Sequence, residues 1–305
     1  MRYPSSDGKN TIYTELYIPD GEPVGIIQLA HGMVDHVGRY RHFAEFVVRR
    51  GYIFAAADHL GHGRTVASAD DYGYFAPRDG YKLVIDDVRG LNEYLHREYP
   101  DLPIVLIGHS MGSFITRLYV NKYPDTVSGY ICHGTAGKNP AAPFGIALIG
   151  IMKKLFGDRH RSNFVRSLAD GGYNGRFDKS EGDTAWLSRD GARILETRDP
   201  EIPNFTFTLS AYGDLFRLLR NSNAKDWFSG YPKELPTLIM SGADDPVGGF
   251  GKGVMQVYRG LERAGVKNLG LKLYPEARHE LFNEINSDEV FSDIIAWADG
   301  VCGKV

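Results

Sequence analysis

The chain has little cysteine, no excess of either charge and no long apolar run. Only two cysteines, Cys132 and Cys302, occur in 305 residues. They form no metal-type cluster, and Cys132, set in an apolar run, reads as a buried thiol. Lys and Arg total 35 against 38 Asp and Glu, a net charge of -3, which argues against nucleic acid as a principal partner. No apolar stretch reaches the length of a membrane span. The segment Met1–Asp7 lacks the apolar region of a secretory leader. Internal repeats and low-complexity tracts are missing too. These absences leave a cytoplasmic protein with no obligate protein partner as the expectation. Its length suits one large α/β domain or one domain carrying a sizeable insertion.

What is present is an alternation of strand and helix patterns. Val24–Leu29, Tyr52–Ala57, Ile104–Ile107, Val127–His133, Pro236–Met240 and Leu269–Tyr274 read as buried strands. Helical spacing follows from Arg39 to Arg50, from Tyr81 to Leu95, from Val254 to Ala264 and in a C-terminal stretch through Val290, Ile294, Ala298 and Val301. Continuous apolar strands alternating with helices imply a mostly parallel sheet covered on both faces. The rhythm breaks between Thr135 and Pro232. The expectation is a core built from residues 1–134 and 233–305, with 135–232 inserted as a mainly helical cap that includes helical pieces at Asp183–Thr197 and Phe207–Leu219.

Gly108-His109-Ser110-Met111-Gly112 lies between the strand Ile104–Ile107 and a helical pattern from Ser113 to Tyr123. This is a G-x-S-x-G nucleophile elbow in its required strand–turn–helix setting. The chain reverses so tightly that a Cβ on either flank would clash, hence the glycines. Ser110 sits at the apex, and the Met111 amide falls at a helix N-terminus, where unpaired N–H groups favour an anion. A serine so placed is a nucleophile for acyl transfer.

Such a serine needs a base, and the base needs an orienting acid, which follow in the chain order Ser, acid, His. After His160 the only histidine is His279, just beyond the Leu269–Tyr274 strand. The acid should follow the preceding strand, where Asp244 and Asp245 are candidates. Pro246 restrains Asp245 to an extended backbone, which favours it. The second oxyanion donor is expected from the loop His31–His36, as the Met33 amide beside that of Met111. His31 and His36 lie on the wrong side of Ser110 and read as loop-shaping residues.

Three other patterns receive plainer readings. Asp58-His59-Leu60-Gly61-His62-Gly63 invites a metal site, but no further ligand cluster completes one and the glycines suggest a tight turn. His96-Arg97-Glu98-Tyr99-Pro100-Asp101 matches an H-x-x-x-x-D pattern by chance, at the strand end remote from Ser110. Ala141–Met152 is almost wholly apolar, then turns cationic at Lys153 and Lys154. Two readings of it stand: burial on all sides, or one side lining an acyl-chain tunnel while another touches a membrane or micelle transiently.

Together these residues resemble the α/β-hydrolase superfamily and, within it, the monoacylglycerol lipase and lysophospholipase branch, grouped with serine aminopeptidase-like hydrolases. The resemblance spans nearly the whole chain. It is carried by His31-Gly32-Met33, Gly38-Arg39-Tyr40, Asp58–Arg64, Gly108–Gly112, the stretch Asp183–Asp190 containing Trp186-Leu187-Ser188-Arg189, Gly242–Val247 and Glu276–His279. It implies an eight-stranded core with a cap and no cofactor; the reading of Asp58–Gly63 as a turn leaves no metal expected. It also implies Ser110, Asp245 and His279 as catalytic residues, with the Met33 and Met111 amides as oxyanion hole. The activity implied is serine carboxylic-ester hydrolysis of a small-molecule or lipid ester. The alternatives are an aminopeptidase or amide hydrolase gripping a free amine with Glu181, Glu196 or Glu201, and a low-turnover ligand-binding sensor.

Overall fold

The computed structural model describes residues 1–303. Eight strands form one sheet: β1 (Arg2–Pro4), β2 (Thr11–Tyr17), β3 (Gly25–Ala30), β4 (Tyr52–Ala57), β5 (Ile104–His109), β6 (Gly129–His133), β7 (Thr237–Gly242) and β8 (Leu269–Tyr274). Their spatial order is β1-β2-β4-β3-β5-β6-β7-β8. β1 and β2 pair antiparallel, as do β2 and β4, and every other neighbour pair is parallel. This is the mostly parallel eight-stranded α/β-hydrolase sheet. The sequence reading passed over β1 and β2. β2 lies near the sheet edge with alternating rather than continuous burial, so its apolar signal is half that of β3 or β5.

Strand pleating divides the core in two. Ile26, Ile104 and Leu106 face one layer with Leu91, Ile115 and Leu261. Ile27, Leu29, Val105 and Ile107 face the other with Phe43, Val47 and Ile294. The first layer is covered by α2 (Gly80–Glu98), α3 (Met111–Lys122) and α9 (Lys252–Ala264), the second by α1 (Arg41–Arg49) and α10 (Ser287–Val301). Two-sided cover explains why the parallel strands read as unbroken apolar runs. Gln28 is the polar exception within β3. Its amide donates to the Val88 carbonyl (3.0 Å) and accepts from Asn92 (3.0 Å), which satisfies it inside the core.

Between β6 and β7 come α4 (Ala142–Phe156), α5 (Asn163–Asp170), α6 (Gly191–Glu196), α7 (Leu209–Asn221) and α8 (Lys225–Ser229). Two expectations need correction here. The helix anticipated over Asp183–Thr197 is reduced to α6, capped by the Asp190 carboxylate accepting from Arg193 N–H (2.9 Å). The preceding residues stay irregular because their carbonyls are taken by a distant loop, as described below. And α4, the apolar helix, is neither buried on all sides nor part of the cleft wall. It buries Ala142, Gly145 and Ile149 against α7, where Gly145 admits the ring of Phe216. Phe144, Ile151, Leu155 and Phe156 stand exposed.

Candidate active site

At the end of β5 the backbone reverses into α3 through Ser110, which has φ 53° and ψ -121°. Positive φ at a non-glycine residue is strained and persists only where the surroundings impose it. Here they do. A Cβ at Gly108 would strike Thr116 Oγ1 and the Gly112 carbonyl, and one at Gly112 would strike the Ala30 carbonyl. The two glycines therefore let β5, β3 and α3 meet closely enough to force the turn, which lifts the Ser110 hydroxyl above the carboxyl edge of the sheet.

His279 and Asp245 reach the same edge from the loops after β8 and β7. Ser110 Oγ–H donates to His279 Nε2 (2.9 Å), and His279 Nδ1–H donates to Asp245 Oδ2 (3.0 Å). The tautomer follows because a carboxylate only accepts. Asp245 is fully buried and accepts also from Ser241 Oγ–H (3.2 Å) and Val247 N–H (2.8 Å). Asp244, the other candidate acid, is exposed, and the His279 Nδ1–H goes to Asp245 instead. Burial alone would push the His279 pKa down. The Asp245 charge and hydrogen bond outweigh it and hold the pKa above its usual 6.5.

The loop after β3 carries Gly32 and Met33 to this point. A Cβ at Gly32 would lie 3.2 Å from the Ser110 Cβ, so the loop passes directly beside the serine. Among the described residues, the Met33 amide donates to no protein acceptor. The Met111 amide, first in α3, has no carbonyl to meet within its helix. Val34 is held at φ 54°, an unusual conformation for a β-branched residue, and donates its N–H to His62 Nε2 (3.3 Å). His31 Nε2 accepts from His59 N–H (3.0 Å), so its Nδ1–H donates to the Gly32 carbonyl (2.8 Å). Burial drives the pKa of His31 well below 6.5 and that of His62 to about 4. Both are neutral props of the loop. Asp58 accepts from the Val37 and Arg64 amides (2.8 and 2.7 Å) with Gly63 beneath it. The motif that resembled a metal site is thus the frame of a turn. His96 Nε2–H donates to the Thr126 carbonyl (2.9 Å), a local structural bond.

The sequence pattern of the family described as "Serine aminopeptidase, S33" matches residues 21–286. The chain belongs to that family. It is 27% identical over 296 residues to the monoacylglycerol lipase of Mycolicibacterium smegmatis, covering 95% of this chain and 93% of that one. Against the monoglyceride lipase of Rattus norvegicus it is 31% identical over 134 residues, 42% of this chain and 40% of the other. Among solved structures it is similar to a thermostable carboxyl esterase from Bacillus coagulans in complex with glycerol, with TM-score 0.92, 28% identity, and 99% and 98% of the two chains covered.

Within this S33-family chain, a cleft of about 790 Å³, its open mouth included, lies above Ser110 and His279. The helices α3, α5 and α7 give it an apolar wing through Phe114, Leu168, Leu215, Phe216 and Leu219. No residue of α4 lines it, which overturns the tunnel expectation for that helix: α7 stands between. The loops after β3 and β8 add Asp35 and Glu280 to the cleft lining. Arg39 joins them, donating to Glu280 through both Nη atoms (2.9 and 2.6 Å) and to Asp35 (3.3 Å). This bridge between the loop after β3 and the His279 loop escaped the sequence reading. So did the use of Trp186-Leu187-Ser188-Arg189. The Trp186 and Leu187 carbonyls accept from His279 and Glu280 N–H (3.4 and 2.7 Å), Ser188 donates to the Asn283 carbonyl (2.7 Å) and Arg189 pairs with Glu284 (2.9 Å). The glutamates weighed for an amine-binding role lie elsewhere. Glu181 pairs with Arg278 and Glu196 with His42 and Arg193. Glu201 is exposed. None lines the cleft.

Proposed function

We propose that the protein is a serine hydrolase of carboxylic esters whose substrate is a monoacylglycerol-type lipid ester. The observation that carries this reading is the unbroken hydrogen-bond chain Ser110–His279–Asp245 beneath a cleft with one apolar wing. Ser110 attacks the ester carbonyl as His279 Nε2 takes its proton. The oxyanion that forms meets the Met33 and Met111 amides, each worth about 3–4 kcal/mol in the transition state. His279, now positive and stabilised by Asp245, protonates the leaving alcohol. It then deprotonates a water that releases the acid from Ser110. Kinship with a monoacylglycerol lipase and a carboxyl esterase supports the ester as substrate, and the apolar wing supports an acyl chain. The exposed Phe144, Ile151, Leu155 and Phe156 beside Lys154 support transient contact of the cap with a micelle or membrane surface. A lysophospholipid substrate shares the acyl half of this chemistry.

The test is labelling with a fluorophosphonate, followed by side-by-side assay of monoacyl esters and aminoacyl amides. Labelling at Ser110 and preferential ester turnover are expected. Ser110→Ala should lower kcat by about 10⁶-fold with the fold intact. Rapid amide cleavage with slow ester cleavage would transfer the chain to the aminopeptidase reading, and an unlabelled, inactive protein to that of a sensor.

A further inference from the structure

Every charged side chain lining the cleft, the triad apart, is an acid. Asp35 and Glu280 are there, and no Lys or Arg is among the described lining residues. The adjacent cation, Arg39, is committed to both of them at 3.3, 2.9 and 2.6 Å. Asp35 is further held as an anion by Tyr40 O–H (2.6 Å) and the Gly32 and His36 amides (3.2 and 2.7 Å). Glu280 Oε2 accepts also from Asn283 Nδ2 (2.8 Å). Arg278, one residue before the base, donates to the Ala185 carbonyl and pairs with Glu181. The trio Asp35, Arg39 and Glu280 thus carries one net negative charge, and Asp245 adds another.

Glu280 directly follows His279 in the chain, which on the ester-hydrolase reading protonates the departing alcohol, and the apolar wing on α5 and α7 suits the acyl chain. The N-terminus of α3, where a phosphate would ordinarily be held, is directed at the oxyanion. Resting on the ester-hydrolase reading above, we propose that Asp35 and Glu280 form a charge filter on the leaving group. Esters of neutral or cationic alcohols are accepted and esters of phosphate-bearing alcohols are rejected, so the lysophospholipid class with an anionic head is not a substrate. A single uncompensated unit charge several ångström from the leaving group, at the dielectric of a half-open cleft, corresponds to roughly 10- to 100-fold in rate.

Three water-soluble esters of one butyryl chain provide the test: those of glycerol, glycerol 3-phosphate and choline. With wild-type protein, kcat/KM for the phosphate ester should fall at least about 10-fold below that for the glycerol ester, at the lower end of that range. The choline ester should stay within about threefold of the glycerol ester. Raising ionic strength should narrow the phosphate-to-glycerol gap and leave the glycerol rate flat. Glu280→Gln should narrow the same ratio by about 10-fold, whatever it does to both rates, because it leaves Arg39 less neutralised. If the glycerol ester turns over and the phosphate ester keeps pace, the filter falls and the esterase reading stands. A gap insensitive to both salt and Glu280→Gln overturns the filter as well. If all three esters are inert, the esterase reading falls and the filter falls with it.

Discussion

The indole of Trp186 lies over the imidazole of His279, ring centres 5.2 Å apart and planes inclined by 31°, while the Trp186 carbonyl receives the His279 N–H. A residue of the segment between β6 and β7 therefore touches the proposed base directly. On the proposed mechanism His279 becomes cationic against an aromatic face when it takes the serine proton, an arrangement worth about 0.5–2 kcal/mol. Trp186→Leu should lower kcat by roughly 2- to 30-fold and move the acidic limb of the pH profile to lower pH. An unchanged limb would mean that the indole only fills space.

The two adjacent aspartates should separate sharply. Asp245→Asn turns the His279 ring toward the wrong tautomer and should cost on the order of 10⁴-fold in kcat. Asp244→Asn, an exposed change, should cost less than about twofold. Initial rates on one ester decide this, and the reverse ranking would move the acid of the triad to Asp244.

The pH profile follows from the direction of the His279 shift. The protonated ring cannot accept the Ser110 proton, so kcat/KM should fall as pH drops through a value above 6.5. Because Asp245 raises that value against the effect of burial, Asp245→Asn should shift the residual limb downward. A limb in wild-type protein below 6.5 would contradict this balance.

Acyl-chain selectivity should depend on α7 and not on α4. Each methylene buried in the apolar wing contributes about 0.8 kcal/mol, close to fourfold in kcat/KM. Leu215→Asp should flatten the rise of kcat/KM from short to medium chains. Ile146→Asp, on the helix behind α7, should leave the slope in place for soluble esters. A slope lost with Ile146→Asp and kept with Leu215→Asp would reverse the assignment.

Arg117 supplies a stability prediction. It is fully buried on α3 and stacks on Trp227 at 4.3 Å. It donates to Thr135 Oγ1 (3.3 Å), the Ala136 carbonyl (3.1 Å), the Ser222 carbonyl and Asn223 Oδ1 (3.2 Å). Arg117→Ala strands buried carbonyls and should cost about 3 kcal/mol or more. Arg117→Lys, with no fork to span both segments, should recover less than half of that in urea unfolding. A loss below about 1 kcal/mol for Arg117→Ala would show that the segments hold without it.

The sheet was legible from β3 to β8 because burial on both faces writes itself as continuous apolar residues, and the elbow because close approach demands glycine at 108 and 112. The triad candidates were legible through the elbow motif, chain order, their places after strands, and Pro246 beside Asp245. The Arg39–Glu280 bridge was not, since it pairs residues 241 positions apart and local spacing carries no trace of such a contact. The irregular stretch before α6 looked helical because its apolar periodicity serves contacts with the His279 loop instead of a helix face. For α4, composition announced an apolar helix but not which neighbour would take its buried side. Gly145 facing Phe216 settles that only in three dimensions.

Arg117 holds Thr135–Ala136, where the chain departs from the sheet after β6, and Ser222–Asn223, where α7 ends on the way back. The excursion thus has its two ends tied to one guanidinium, in addition to the bonds that join its middle to the His279 loop. For anyone exchanging this region between relatives, the practical boundary lies outside both tied segments. A graft that brings new ends but leaves the host residue at position 117 unmatched would be folded in its parts and loose at its root.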